Sequence, residues 1–268
     1  MTEHRLKLDH LVIAARTLEE GAQFIAAKFG VETAPGGAHP LMRTHNRLLN
    51  LWSGAYLEVI AVDPFAAAVD SPRPRLFALD DPAMHRRLEQ GPQLVHWVAR
   101  VDRPKSLDRW RKQYPERIPP VAAMSRGGNT WGLTVPDDGA FPVWQGAGDG
   151  VLPSLIQWDT PRHPGSTLPQ MGVALRTLTG FHPQAEALAE QLTWLGAAHL
   201  MHVEPTAGAP VLVAQFDLPD GSVLTLGESA EEVETREEEA RQAASKRRRA
   251  KKAEAQEAPQ PESPDTPD

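Results

Sequence analysis

The most constraining feature of the sequence is a pattern that occurs three times before residue 228. Each copy begins with an apolar segment typical of a strand, at residues 8–14, 94–100 and 171–177. Apolar residues at helical spacing follow in each copy, and then two further apolar runs separated by a turn. A sheet that has a helix on only one face must bury its other face against a partner. The pattern therefore predicts three tandem units, each with the order strand, helix, strand, strand, strand.

The predicted helices are read from their apolar spacing and their ends. In the first copy the spacing covers residues 18–29, and Gly30 follows; in the third it covers residues 185–195, and Gly196 follows. The middle helix, at residues 107–114, is shorter than the other two. Glycine after the last apolar position is typical of a helix end, so the two longer helices are expected to stop there.

Each copy is also predicted to contain a hairpin. The turns fall at Ser53-Gly54, at residues 136–139 and at residues 219–221. The second and third of these contain Asp-Gly between apolar runs, which is a strong local signal for a hairpin. In the second copy the prediction therefore pairs residues 131–135 with residues 140–144.

These units define an α+β fold. The first two βαβββ units are predicted to pair side by side and form a barrel-like cleft, accompanied by a third, degenerate unit. The predicted boundaries are residues 1–90, 91–167 and 168–227 for the three units and 228–268 for a disordered charged tail.

The tail is predicted from a change of composition. From Glu228 to Asp268 there is no aromatic residue and Val233 is the only large aliphatic one, so the segment cannot offset its ordering entropy by apolar burial. Its basic run at residues 246–252 is typical either of a nucleic-acid contact or of a self-neutralising solubility tail. The segment carries more acid than base, which favours the second interpretation.

Composition excludes several classes of function. The chain has no cysteine, so any metal would be held by His, Asp, Glu, Asn or Gln. The net charge of −7 argues against nucleic-acid binding by the folded part, and no apolar run is long enough to span a membrane. Residues 1–7 do not resemble a signal segment, so a cytoplasmic protein is expected. Nucleotide-binding glycine loops and serine-nucleophile motifs are missing from the sequence.

Several short motifs recur in a characteristic order. They are Leu8-Asp-His-Leu-Val12, Gly36-Gly-Ala-His39, Thr44-His-Asn46, residues 56–64, Ile156-Gln-Trp-Asp159 and His163-Pro164. With this order and spacing, residues 8–226 resemble the vicinal oxygen chelate superfamily, which includes glyoxalase I, extradiol dioxygenases and fosfomycin-resistance proteins. The resemblance is greatest to the glyoxalase-like domain proteins of bacteria. It implies paired βαβββ units and one divalent metal at the centre of the cleft.

The resemblance also implies the metal ligands. His10 and Glu58 match the two ligand positions of the first unit, and alignment of the copies puts His96 in register with His10. Counting from the hairpin glycine puts the place of Glu58 at Val143 in the second unit, while the third unit keeps neither ligand. The set of His10, Glu58 and His96 suits zinc, manganese, nickel or ferrous iron. Gln157 is a fourth ligand only if its strand runs along the cleft.

Plainer interpretations of these residues stay open. A histidine in an apolar strand, such as His10 or His96, is often a buried core residue with ordinary hydrogen bonds. Glu58 shares a strand face with Tyr56 and Ile60, and a carboxylate on an inward apolar face is costly unless it is paired or ligating. If that face is open to solvent, an edge strand explains Glu58 equally well.

The polar segment at residues 36–46 is predicted to line the cleft. In the glyoxalase-like proteins such a segment lies near the substrate, so His39 is a candidate general base. The predicted catalytic residues are therefore Glu58 and His39. Arg43 is available to neutralise an anionic substrate. The alternative is a loop braced by the side chains of residues 44–46. The predicted substrate contacts are His39, Arg43, Asn46, Tyr56 and Gln157.

The predicted fold and the predicted site residues are typical of two classes of function, and the sequence does not distinguish them. The first is a metal-dependent lyase, isomerase or dioxygenase that acts on a small oxygenated metabolite between the first two units. The second is a non-catalytic protein of resistance type that binds a small molecule with a degraded metal site. A homodimer is compatible with either, since related proteins pair units across chains, although three units in one chain form the cleft unaided.

Overall fold

The computed structural model of the chain describes residues 5–70, 72–160 and 163–227. The described residues up to 227 form one compact unit. The predicted disordered tail at 228–268, with its basic run, lies outside the described residues. Among the helices that are described, none has the length and apolar character needed to cross a membrane.

The first unit has the predicted order of elements. It consists of β1 (Lys7–Ala14), α1 (Leu18–Phe29), β2 (Ala34–His39), β3 (Thr44–Asn50) and β4 (Tyr56–Val62). The side chain of Thr17 accepts a hydrogen bond from Glu20 N and begins α1, and Gly30 ends it in the left-handed conformation. The predicted bounds of this helix are confirmed.

The second unit follows a short helix, α2 (Pro82–Leu88). It consists of β5 (Gln93–Arg100), α3 (Leu107–Gln113), β6 (Val121–Arg126), β7 (Asn129–Thr134) and β8 (Ser154–Trp158). The side chain of Ser106 accepts from Arg109 N and begins α3. The order of elements is again the predicted one.

The two units share one eight-stranded sheet, in the order β2-β3-β4-β1-β5-β8-β7-β6. β1 and β5 pair in antiparallel fashion at its centre, with Leu11 opposite Trp97. β4 runs parallel to β1 on one side, and β8 runs parallel to β5 on the other. This arrangement relates the units by an approximate twofold axis, and the sheet curls until its edge strands β2 and β6 approach each other. The predicted barrel-like pairing of units one and two is confirmed.

The third unit has the same order of elements but a different strand pairing. It consists of β9 (Ala174–His182), α4 (Ala185–Leu195), β10 (His202–Pro205), β11 (Val211–Asp217) and β12 (Val223–Leu226). Its sheet has the order β10-β9-β11-β12, so the second strand of the unit, not the last, is the parallel neighbour of the first. β9 also begins three residues later than the strand predicted at Met171. The third unit therefore forms a separate sheet and adds no strand to the barrel.

The predicted hairpin of the second unit is wrong. β7 pairs with β8, and residues 136–153 form the connection between them. The turn at Gly139 does form, but the carbonyl of Gly139 accepts from Ala78 N and the chain does not return along β7. Pro142 has no backbone N–H with which to join a strand ladder. The predicted turns of the first and third units are confirmed.

Each face of the large sheet carries its own apolar cluster. The inner cluster fills the barrel and includes Val12, Ile60, Val98, Leu133 and Ile156. The outer cluster lies under α1, α3 and the second sheet and includes Leu11, Ile25, Phe29, Trp97 and Phe216. Alternate residues of β1 and β5 thus belong to different clusters. A shift of the strand register by one residue would therefore move the side chains of each cluster to the wrong face of the sheet.

Close packing of α1 on the sheet gives a test of this arrangement. A Cβ atom on Gly21 would lie 2.3 Å from Val59 Cγ1. Replacing glycine by alanine inside a helix normally adds up to about 1 kcal/mol of stability, but overpacking costs about 1–3 kcal/mol. We expect Gly21→Ala to lower the free energy of unfolding in urea by roughly 1–2 kcal/mol. Gln23→Ala, at an exposed position of the same helix, should change it by less than about 0.5 kcal/mol. A stabilised Gly21→Ala protein would contradict the packing.

Candidate functional site

A small pocket lies inside the barrel. The first unit supplies its polar side, with His10, His39, Asn46, Tyr56 and Glu58. The second unit supplies a largely apolar side, which includes Met124, Trp131, Leu133 and Ile156. The free space between them is about 20 Å³, which is room for one water molecule.

His10 lies between two carboxylates. Its Nδ1 atom is 2.8 Å from Asp9 Oδ1, and its Nε2 atom is 3.5 Å from Glu58 Oε2. Asp9 reaches the ring because β1 has a bulge: pairing with β5 passes from Leu8 directly to His10 and leaves Asp9 as the extra residue. A bulge redirects the side chain of the extra residue. In this case it brings two neighbouring side chains of one strand together.

Asp9 is completely buried and fixes the orientation of the His10 ring. Besides His10, it accepts hydrogen bonds from His163 Nε2 at 2.8 Å and from Trp158 Nε1 at 3.0 Å. With Nδ1 of His10 held by Asp9, its Nε2 atom faces Glu58 and the pocket. A carboxylate behind the ring is the arrangement that orients many catalytic and metal-ligating histidines.

The three groups fix one another's charge. Burial disfavours the charged ring, but hydrogen bonds with Asp9 and Glu58 outweigh it and raise the pKa of His10 to about 9. Burial also disfavours the Glu58 carboxylate, but the bond from His10 and its positive charge lower the pKa of Glu58 to about 2. The pKa of Asp9 is held below its ordinary value because bonds from His10 and His163 outweigh its burial. At neutral pH the site therefore contains an imidazolium between two carboxylates.

Asn46 connects the remaining polar groups of the pocket. Its Nδ2 group donates to Glu58 Oε1 at 2.5 Å and lies 3.3 Å from His39 Nε2. Its Oδ1 atom accepts from Gly37 N at 3.0 Å and from Arg126 Nη1 at 2.7 Å. The amide thus has partners for both of its donors and both of its acceptor positions, which fixes its orientation.

His39 is neutral, in contrast to His10. Burial lowers the pKa of His39 to about 4, with the charge of Glu58 opposing this shift and the charge of Arg126 adding to it. Its Nδ1 atom is 3.2 Å from Thr44 Oγ1, which accepts the ring proton. The Nε2 atom then carries the electron pair that Asn46 Nδ2 approaches on the pocket side.

Strand register identifies the counterparts of this site in the second unit. The twofold relation between β1 and β5 makes His96 the counterpart of His10, as the sequence alignment predicts. In the same register Ser154 of β8 takes the place of Glu58 of β4. The predicted place at Val143 is wrong, because it depended on the hairpin that does not form.

His96 has a different set of partners. Its counterpart of Asp9, at the bulge of β5, is Val95, which has no polar side chain. The ring instead bonds Gly150 O through Nδ1 at 2.9 Å and Ser154 through Nε2, at 3.0 Å to Oγ and 3.1 Å to the backbone N. Burial lowers the pKa of His96 to about 3, so this ring is a neutral core residue.

These bonds separate His96 from the other two predicted metal ligands. In the part of the chain that is described, no three His, Cys, Asp or Glu side chains form a group that could hold a metal ion. His10 Nε2 and Glu58 Oε2, 3.5 Å apart, have the spacing of two neighbouring ligands whose metal bonds are about 2.1 Å long. Protein sites for such metals normally have at least three protein ligands. The residues present therefore do not fit the predicted three-ligand centre.

The structure places Gln157 outside the pocket. Ser154, Ile156 and Trp158 of β8 face the barrel interior, so Gln157 faces outward. Its Oε1 atom accepts from Leu107 N at 3.0 Å, at the start of α3. The prediction that Gln157 contacts the substrate or the metal is corrected accordingly, since strand alternation decides its direction.

Arg43 is also outside the pocket, whereas Tyr56 is inside it. Arg43 donates through Nη2 to Arg73 O at 2.9 Å and fastens the connection between β4 and α2. The ring of Tyr56 stacks on His10, with ring centroids 4.7 Å apart. The prediction that Arg43 meets the substrate is corrected, because its guanidinium is bonded to a neighbouring loop.

Sequence reasoning gave no role to two residues of the site. Asp9 lies in a motif that carries the family resemblance, and a carboxylate beside a histidine in an apolar strand is itself a signal of a buried polar pair. Arg126 had no local signal, because its partners Asn46 and His39 lie across the barrel in another unit.

Comparison with known proteins gives a family and several similar structures. Residues 8–196 match the family described as glyoxalase-like domain, and no curated protein matches the sequence. A crystal structure of a hypothetical protein from Staphylococcus aureus is 16% identical, with a TM-score of 0.49 over 82% of this chain and 84% of that chain. Methylmalonyl-CoA epimerases from Streptomyces coelicolor and Mycobacterium tuberculosis are 17% and 16% identical, with TM-scores of 0.35. They cover 57% and 59% of this chain and 95% and 94% of their own. The family match includes every residue of the pocket.

The charge of His10 makes stability depend on pH. Its pKa is about 9 in the folded chain and about 6.5 in the unfolded chain, so the folded state holds the proton more tightly. This stabilisation is complete below pH 6.5 and declines as the pH rises toward 9. We expect the charge of His10 alone to lower the free energy of unfolding by on the order of 1.5 kcal/mol between pH 6.5 and 8. Buried, neutral His39 and His96 oppose this by about 0.4 kcal/mol each, because the unfolded chain binds the protons that they lack. The contribution of His10 is therefore measured in urea titrations as a difference between variants.

The variants that check this assignment are His10→Gln and His199→Gln. The first should remove the decline that His10 contributes between pH 6.5 and 8. The second changes an exposed histidine and should keep it. An equal decline in His10→Gln and the unmodified protein would contradict the charged state of His10.

Proposed function

The chain belongs to the glyoxalase-like domain family, and from this membership we propose that it is an enzyme that transfers protons on a small oxygenated metabolite. The reaction class is that of a lyase or isomerase. The reacting groups are Glu58, His10 and His39. The observation that carries the proposal is the pairing, in one buried pocket, of a charged imidazole with a carboxylate.

The roles follow from the charge states of the three groups. Glu58 takes a proton from the carbon next to a substrate carbonyl, while His10 donates from Nε2 to the carbonyl oxygen. An enediol forms, and Glu58 returns the proton to the neighbouring carbon. As the new carbonyl forms, the deprotonated His10 takes the proton of the neighbouring hydroxyl, so Glu58 and His10 both end in their starting charge states; neutral His39 accepts a hydrogen bond from that hydroxyl at Nε2. Protons removed and delivered balance, and no oxidant is needed.

Substrate binding makes Glu58 a better base. In the free site the contact with His10 lowers the pKa of Glu58, whereas burial alone would raise it. A carbonyl oxygen that takes the Nε2 proton of His10 removes that contact. The carboxylate then stays buried without its partner and binds a proton more readily.

A dioxygenase is not favoured by this arrangement. Such a reaction needs a redox metal that holds substrate and oxygen together. The donor set around Glu58 provides two ligands, since His96 is bonded to Gly150 and Ser154. The proposed proton transfer therefore uses only side chains of the chain.

A binding protein without catalysis is the second candidate. The observation that favours it is the second half of the barrel, where Val95 and Ser154 replace the two carboxylates and leave His96 neutral. This is the degraded half-site that the alternative hypothesis expects. Binding alone would still need the polar side of the pocket.

Either function requires the pocket to open. Its free space of about 20 Å³ is much smaller than a metabolite needs. Leu76 and Phe77, from the connection between β4 and α2, close one side. Phe77 and Ala78 have φ angles of 58° and 55°, which is a costly conformation for residues other than glycine. We infer that this connection is the wall that moves to admit a substrate.

Deuterium exchange tests the catalytic proposal without a known substrate. The protein is incubated in D₂O with glycolaldehyde, hydroxyacetone or hydroxypyruvate, and NMR follows loss of the proton next to the carbonyl. We expect catalysed exchange for at least one compound and a loss of about 100-fold or more in Glu58→Gln. Glu32→Gln, at an exposed carboxylate, should keep the rate. Binding of these compounds with no exchange would favour the binding protein.

Metal content tests the donor set separately. With only His10 and Glu58 available, we expect protein purified without added metal to contain far less than one transition metal ion per chain. A ligand that binds only the folded state raises the melting temperature. Because we expect no tight binding, added Zn²⁺, Mn²⁺, Ni²⁺ or Fe²⁺ should leave the melting temperature nearly unchanged. Stoichiometric metal that is lost in both His10→Ala and Glu58→Ala would restore the metal-dependent enzyme.

A further inference from the structure

Arg126 closes the barrel from the side opposite to His10. It is the last residue of β6, at one edge of the sheet, and it reaches β2 and β3 at the other edge. Its side chain crosses Gly37, where an added Cβ would lie 2.7 Å from Arg126 Cδ. The glycine thus provides the space through which the guanidinium reaches the pocket.

The guanidinium is held on one side and free on the other. Nη1 donates to Asn46 Oδ1 at 2.7 Å and lies 3.5 Å from His39 Nε2. Within the described residues, its Nε and Nη2 groups have no acceptor, and no carboxylate lies within 4 Å of it. Asn46 is itself held by three other partners, Gly37, His39 and Glu58, so it offers Arg126 a fixed acceptor. Arg126 is one of the residues that line the pocket.

The carboxylates of the pocket are committed to other partners. Glu58 is bonded to His10 and Asn46, and Asp9 to His10, His163 and Trp158. Only Glu58 of these two carboxylates lines the pocket, so two cationic groups, His10 and Arg126, share the lining with one carboxylate. A partly buried cation without a counter-ion favours a ligand that brings a negative charge.

We infer that the substrate carries a carboxylate group, which Arg126 binds while the neighbouring carbonyl lies between His10 and Glu58; this inference rests on the proposed function. The planar fork of a guanidinium matches the two oxygens of a carboxylate. The single guanidinium and the apolar walls around Met124 and Leu133 favour this singly charged anion over a phosphate group, which has more charge and more acceptors to satisfy. Arg126 thus takes the role in substrate selection that the sequence suggested for Arg43.

Calorimetric titration with matched charged and neutral probes tests the inference. The probes are lactate and glycolate, compared with lactamide and glycolamide, which have nearly the same shape without the charge. We expect the unmodified protein to bind each acid at least about tenfold more tightly than its amide. Arg126→Gln should abolish this preference and leave amide binding unchanged. Arg126→Lys should keep part of it, since lysine keeps the charge without the fork.

Two controls separate this inference from the proposed function. Arg109→Gln, at an exposed position of α3, should keep the full preference for acids. Glu58→Gln should lose deuterium exchange and keep the preference, because it removes the base and not the anion site. Equal binding of acid and amide, tighter binding of inorganic phosphate than of lactate, or a full preference in folded Arg126→Gln would each overturn the inference. A lost preference in Arg126→Gln together with unaltered exchange in Glu58→Gln would overturn the catalytic proposal alone.

Discussion

The antiparallel pairing of β1 with β5 is the constraint on which the rest of the structure depends. Because Leu11 lies opposite Trp97 at the centre of the pair, the two units are related by a twofold axis, and each first strand presents alternate residues to the same interior. One set of alternate side chains fills the barrel, and the other lies under the helices and the second sheet. A shift of one residue would turn His10 out of the barrel and bring Leu11 in. The apolar clusters on both faces therefore also fix the place of the polar site.

The same symmetry makes the two halves of the barrel a comparison within one molecule. His10 and His96 occupy equivalent positions, and both are buried, yet one ring is charged at neutral pH and the other is not. Burial acts in the same direction on both, so the difference comes from the neighbours. A carboxylate at Asp9 keeps the proton on the first ring, while the equivalent Val95 cannot. One half of the repeat has kept the charged chemistry, and the other half has become its apolar wall.

Repeat structure and strand faces could be predicted from the sequence, while contacts between units could not. The order of elements in all three copies, the helix ends at Gly30 and Gly196, and the register of His96 with His10 follow from local spacing. The prediction of a hairpin in the second unit was wrong, because an Asp-Gly turn indicates a local reversal of the chain but not the strand with which the next segment pairs. Arg126 was missed for the same reason, since its partners are about 80 residues away in the chain. Local patterns carry no information about that pairing.

Burial of three charged groups in one pocket links binding to chemistry. An ion pair that is removed from water is costly unless its remaining hydrogen-bonding positions are satisfied. Asp9 satisfies its positions with three donors, and Asn46 does so for one side of Glu58. The contact between His10 and Glu58, at 3.5 Å, is the longest of the set, and both residues line the cavity. A substrate carbonyl that enters there replaces the weakest contact, and the network behind it stays in place. The reacting groups, His10 and Glu58, are thus the pair whose mutual contact is lost with the smallest loss of stabilisation.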